Sequence, residues 1–165
     1  MARCLIIGCG CRGQMLARAL VEHGHSVRAT TRDTVRRPGI VAAGAECIVA
    51  DPDRLGTLVG ALDHVTIAFI LLGSASGSTD SLAALHGPRL KMLLTRMVDS
   101  TIHGVVYEAR GTVEPELLRS GAQLVHDFGE RSHARTVFLE ADPANPEGWL
   151  RDALAAVPAV LSPRG

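Results

Sequence analysis

The sequence predicts a doubly wound α/β domain spanning residues 1–165, with six parallel strands in the order 3-2-1-4-5-6 and helices on both faces. Three observations carry this expectation. Short apolar runs alternate with amphipathic stretches of helical period along the chain. The first apolar run leads into Gly8-Cys9-Gly10-Cys11-Arg12-Gly13, a G-x-G-x-x-G spacing placed between a strand and a helix. The run at 65–72 is the most apolar of all, as a central strand covered on both faces must be.

The elements follow in order. Cys4-Leu5-Ile6-Ile7 is the first strand, 14–22 the first helix, and Gly24-His25 the turn into a second strand at 26–31. A short helix at 40–43 stops at Gly44, and 46–50 is the third strand. Asp51 as N-cap and Pro52 at the first helical position open a helix whose apolar face is Leu55, Leu58, Val59 and Leu62. The fourth strand, 65–72, ends at Gly73-Ser74, and the small residues 75–80 form an open loop. A helix at 88–98 and a strand at 103–107 come next, the strand running out into Glu108-Ala109-Arg110-Gly111. Pro115 opens a further helix, although Gly121 leaves 122–125 readable as a strand; a helix is preferred, because a strand there would leave no crossover before the next one. The last strand is 136–140. Asn145-Pro146 caps a final helix through Ala156, anchored by Trp149 and ended by Pro158, with a loose tail at 162–165.

The chemistry concentrates at the first strand end. Gly8 permits the tight turn, Gly10 offers no Cβ where a pyrophosphate approaches, and Gly13 lets helix and strand pack closely. The free N–H groups of the helix N-terminus, from Cys11 and Arg12 through Gln14, then favour an anion. The second strand ends Thr30-Thr31-Arg32 without the acidic residue that holds an NAD ribose. Arg32 can meet a 2′-phosphate with its planar fork, and Thr31 can add a hydroxyl, so the expected cofactor is NADP ahead of NAD. Asp33 stays open as a displaced ribose ligand, and Arg36 and Arg37 as either phosphate contacts or a solvated loop. In such a sheet the ligand lies at the carboxyl ends of the strands, where Leu72, Gly73, Ser74 and residues 108–111 converge.

Composition narrows the partners. Lys+Arg and Asp+Glu both number 17, and aromatic residues are 3% of the chain, which argues against nucleic-acid binding. No apolar run approaches the roughly 18 residues of a membrane span, and the first residues lead directly into a strand without a signal-peptide pattern. A cytoplasmic protein is expected. The four cysteines are Cys4, Cys9, Cys11 and Cys47; their spacing does not suit zinc, and reduced thiols are expected, with oxidation of Cys9 or Cys11 at the helix N-terminus as the alternative. Homodimerisation through the helices is compatible with the pattern but not required by it.

The chain resembles the short-chain dehydrogenase/reductase superfamily, as an atypical, shortened member of the NmrA-like or epimerase-like kind with a Rossmann domain. The resemblance rests on Gly8, Gly10, Gly13, the Gly24-His25-Ser26-Val27 turn, Arg32 and Asp51, and covers roughly the first 110 residues. It implies a nucleotide cofactor, with Asp51 by the adenine ring and Arg32 at the 2′-phosphate. It also exposes a departure: those reductases carry Tyr-x-x-x-Lys, whereas here the one Tyr, Tyr107, is followed by Glu108-Ala109-Arg110-Gly111, and Lys91 is the one lysine. The substrate-binding extension expected after the last strand is missing too. Two functions follow. One is an NADPH-dependent oxidoreductase on an unknown small molecule, with Tyr107, Glu108 or Ser74 as proton donor and His133 behind them. The other is a non-catalytic NADP(H)-binding redox sensor or regulatory subunit serving a protein partner. A small F420-linked type of NADP reductase shares the glycine loop and the Thr-Arg strand end.

Overall fold

A computed structural model describes residues 1–162. Six parallel strands form one sheet in the order β3-β2-β1-β4-β5-β6, the order the sequence predicts. They are β1 (Arg3–Ile7), β2 (Ser26–Thr31), β3 (Glu46–Val49), β4 (Ile67–Ile70), β5 (Gly104–Glu108) and β6 (Arg135–Leu139). The register sets Cys4 beside both Val27 and Ile67, and Ile70 beside Tyr107.

Strand alternation divides the core into two layers. Cys4 and Ile6 of β1 face α1 (Cys11–Glu22), α2 (Arg37–Ala42) and α6 (Pro146–Leu161), packing on Leu16, Leu20, Ile40 and Trp149. Leu5 and Ile7 face the other layer, made by Leu58 and Leu62, α4 (Leu90–Val98) and α5 (Pro115–Ser132), with Leu93, Met97, Val125 and Phe128 at its centre. β4 is buried at every position, which accounts for its unbroken apolar sequence.

Several elements differ from the expectation. α1 begins at Cys11 rather than residue 14, with Gly10 as its extended N-cap. Residues 51–62 form two 3₁₀ turns, Leu55–Thr57 and Val59–Leu62, in place of one helix. Gly56 and Gly60 weaken helix propagation there, and the Thr57 hydroxyl bonds the carbonyls of Asp51 and Arg54. The helix expected at 88–98 is present as α4, and a further short helix precedes it where an open loop was expected. Ser78 caps α3 (Thr79–Ala84) by accepting the Ser81 N–H, and a wide turn at Leu85–Arg89, kinked at Gly87, carries the chain past Pro88 into α4. The open loop is correspondingly shorter. Glu108 belongs to β5 rather than to the loop after it.

Gly121 lies inside a continuous α5, as preferred over the strand. α6 continues through Pro158 to Leu161, because the last turn is held by packing: Val157 and Val160 are buried, and a Cβ on Gly104 would sit 2.6 Å from Val160 Cβ. Ser162 closes the helix onto the Pro158 carbonyl, and the remainder of the expected tail lies outside the described residues.

Candidate functional site

The carboxyl ends of β1, β2, β4 and β5 open into a cleft of about 540 Å³, within the range of small-molecule sites. Its floor is the turn from β1 to α1. Gly8 has φ +84°, and a Cβ there would lie 2.7 Å from the Leu71 carbonyl oxygen, so glycine is required both by conformation and by space. The turn is tied to β2: the Cys9 N–H donates to the Thr30 carbonyl at 2.9 Å, and the Gly8 N–H reaches Thr30 Oγ1 at 3.4 Å. Gly13 packs flat on the strand, with Cys9 Sγ 3.1 Å from its absent Cβ. The first-turn amides of α1 thus open onto a floor where Gly8 and Gly10 carry no Cβ, the arrangement that receives phosphate oxygens.

One wall is basic. Arg32 and Arg36 both line the cleft. A 3₁₀ turn, Thr34–Arg36, is capped by Asp33, whose Oδ1 accepts the Val35 N–H at 2.9 Å. That cap swings Arg36 over the glycine loop, so that its Nη1 lies 3.3 Å from where a Gly10 Cβ would be. Asp33 also lines the cleft with one oxygen committed to the cap, and Thr31 Oγ1 is occupied with the Asp33 backbone.

The opposite end is built around Glu108. This side chain is 2% exposed, yet it is fully engaged. Oε1 accepts the Gly73 N–H at 2.8 Å, Oε2 accepts Trp149 Nε1–H at 3.0 Å, and Arg12 Nη2 stands 3.9 Å from Oε2. Burial raises its pKa, while Arg12 and the two donated hydrogen bonds act in the other direction. The Arg12 guanidinium also stacks on Trp149, 5.7 Å from the ring centre, and its buried Nε has no protein partner. Ser74, Ser76, Leu72 and Leu85 complete this end, and Ser74 Oγ accepts the Thr112 N–H. Gly73 and Gly111 approach so closely that a Cβ on Gly111 would strike the Gly73 carbonyl.

The structure therefore gathers Gly8, Gly10, Cys11, Arg12, Gly13, Thr31, Arg32, Leu72, Ser74 and Glu108 around one cleft. Gly73 stands behind it, bonded to Glu108. Others are placed elsewhere. Gln14 packs against Gly39 of α2, and Asp51 caps the Asp53 N–H at 2.9 Å. Tyr107 points into the opposite core layer, wholly buried, with its hydroxyl on His86 Nδ1 at 2.7 Å. Burial and the nearby Glu108 charge raise the Tyr107 pKa, which makes the phenol a poor proton donor. His133 ends α5 in a left-handed conformation, outside the cleft lining. Cys9 is buried and its thiol is pushed up to about 12, unsuited to oxidation chemistry, whereas Cys11 is exposed. The sequence marks Trp149 only as a core anchor and carries no signal at His86.

Among the described residues no cluster of His, Cys, Asp and Glu could hold a metal ion, and no helix is long and apolar enough to cross a membrane. The chain matches no protein-family model and no curated protein sequence. Solved structures do share its fold. A short-chain dehydrogenase/reductase superfamily protein from Agrobacterium tumefaciens with bound NAD is 17% identical at a TM-score of 0.70, over 84% of this chain and 48% of that one. A UDP-glucuronic acid 4-epimerase from Bacillus cereus in complex with NAD is 16% identical at 0.68, over 84% and 55%. BdcA from E. coli is 17% identical at 0.73, over 97% and 91%. The chain spans about half the length of the first two. At these identities the likeness establishes the fold, the Rossmann sheet expected from the glycine motif.

Proposed function

We propose that this chain is an NADP(H)-binding Rossmann domain of the short-chain dehydrogenase/reductase type, acting as a redox sensor or regulatory subunit. One observation carries the reading: the glycine loop at a helix N-terminus shares a single cleft with Arg32 and Arg36. The loop suits a pyrophosphate, and the two guanidinium groups suit a 2′-phosphate. NAD in two structures of the same fold supports a nicotinamide dinucleotide as the ligand class. The absent Cβ of Gly10 and the unpartnered Nε of Arg12 are where this chain fits such a ligand.

The glycine loop and Arg32 would hold NADPH, which would supply hydride chemistry there. The chain's own residues supply position: Glu108 is committed to structural hydrogen bonds, and Tyr107 is sealed in the core. Sensing or regulation therefore fits better than turnover. A reductase reading is favoured by one feature, the Ser74 and Ser76 hydroxyls that line the cleft.

Fluorescence titration with NADPH and NADH tests the proposal. NADPH should bind at least about tenfold more tightly, and Arg32→Ala should remove most of that preference, as expected for loss of a charge-assisted pair. Equal affinities for the two cofactors would remove the role given to Arg32. NADPH consumption across a panel of carbonyl compounds separates a reductase from a sensor.

A further inference from the structure

We propose that His86 is a positioning residue for the nicotinamide half of the cleft, fixing the loop after β4 through the Leu72 carbonyl with Tyr107 as its backstop. This inference rests on the cofactor reading above and extends it to a second, buried layer.

His86 is 2% exposed and lies in the wide turn between α3 and α4. Its two ring nitrogens have different partners. Nε2 is 3.0 Å from the Leu72 carbonyl oxygen, and Nδ1 is 2.7 Å from the Tyr107 hydroxyl. A carbonyl accepts only, so Nε2 carries the proton and donates. Nδ1 must then accept, and the Tyr107 O–H donates to it. The pair fixes one tautomer and one ring orientation, with the rings edge to face at 82°. Here the kink at Gly87 accompanies the inward placement of the imidazole.

Room for the pair is built in. Gly121 of α5 lies against the Tyr107 hydroxyl so closely that a Cβ would overlap it. The phenol can therefore reach His86 only because α5 carries glycine at this point.

Leu72 is the second residue of the loop after β4, which lines the far end of the cleft, and its carbonyl also accepts the Ala75 N–H that closes the turn. The neighbouring Gly73 is held from the opposite face of the sheet by Glu108 and through its carbonyl by the Val113 N–H. His86 and Glu108 thus grip consecutive residues from the two core layers. The adenine half is formed elsewhere, by β2, Arg32 and Arg36. A dinucleotide in this fold crosses from one half to the other at the switch between β1 and β4. Loosening the β4 loop should therefore disturb one half of the ligand and spare the other, which a general loss of stability would not do.

The experiment titrates NADPH and adenosine 2′,5′-bisphosphate, which carries only the adenine half, against the full chain and three variants. His86→Leu removes both polar contacts and should weaken NADPH about tenfold while leaving the bisphosphate within about twofold. His86→Gln returns a donor for the Leu72 carbonyl and should recover most of the NADPH affinity. Tyr107→Phe leaves the His86–Leu72 bond and should cost about threefold with NADPH alone, and it serves if His86→Leu does not fold. Equal losses with both ligands, or no loss with either, overturn the positioning role. A wild-type chain that binds neither ligand overturns the cofactor reading, and the positioning role with it.

Discussion

Replacing Glu108 by alanine is the sharpest test of how the cleft is held. The substitution strands two donors, the Gly73 N–H and Trp149 Nε1–H, which now bond to its two oxygens at 2.8 and 3.0 Å. Each buried unpaired donor costs about 1–3 kcal/mol, and removing the buried carboxylate returns part of that through relief of its desolvation. The balance is a loss of about 2–4 kcal/mol, a large share of a stability of about 5–15 kcal/mol. Glu108→Gln keeps an acceptor for one donor but turns its NH₂ towards the other, so its loss should fall near half that of alanine. Trp149 is the single tryptophan, is 1% exposed and touches the mutated group, so its fluorescence reports urea unfolding and the local change at once. Native emission should shift in the alanine variant as the indole loses its acceptor. A variant within about 0.5 kcal/mol of wild type, with unchanged native emission, would show that Glu108 does not brace the loop.

Two further outcomes follow from other residues. Burial lowers the His86 pKa below its ordinary 6.5, so the unfolded chain takes up the proton first and stability drains away as pH falls below 6.5 towards the depressed native value. His25 is shifted the same way, chiefly by burial; Glu108 is shifted upward and acts oppositely, losing stability as pH rises above 4.5. Urea unfolding of wild type and His86→Gln at about pH 7.5 and about pH 5.5 isolates the His86 contribution: the wild type should lose more on acidification, and identical losses would refute it. Gly10→Ala should separate folding from binding. Gly10 has φ −91° and the nearest atoms to a new Cβ are the far end of Arg36, so thermal unfolding should hardly move, whereas NADPH affinity should fall at least about tenfold. Unimpaired NADPH binding by this variant would contradict a pyrophosphate at the loop.

The sheet was legible because each strand carries its own signature. β4 reads as fully buried from its composition alone, and the Gly8-Gly10-Gly13 spacing has one sensible placement between a strand and a helix. Where local signals competed, packing decided. Pro88 marks the second helix as expected, directly after the break at Gly87, but the Ser78 cap and Asp80 upstream start a further short helix where the small residues read as open loop. Pro158 looked like a stop, yet burial of Val160 outweighed the lost hydrogen bond. The cleft's far end was hidden for another reason. Glu108 and Trp149 are 41 residues apart, and His86 and Tyr107 are 21 apart. Nothing near either residue in the chain announces its partner; only the parallel crossovers bring them together.

The short turn at Thr34–Arg36 has a consequence for how this protein could diversify. It is secured by its own Asp33 cap, none of its residues is buried, and Val35 is 80% exposed. The Arg36 part of the basic rim is thus an appendage on the sheet, while Arg32 follows directly from β2. Exchanging a handful of residues there should retune which nucleotide is preferred while the scaffold beneath stays as it is.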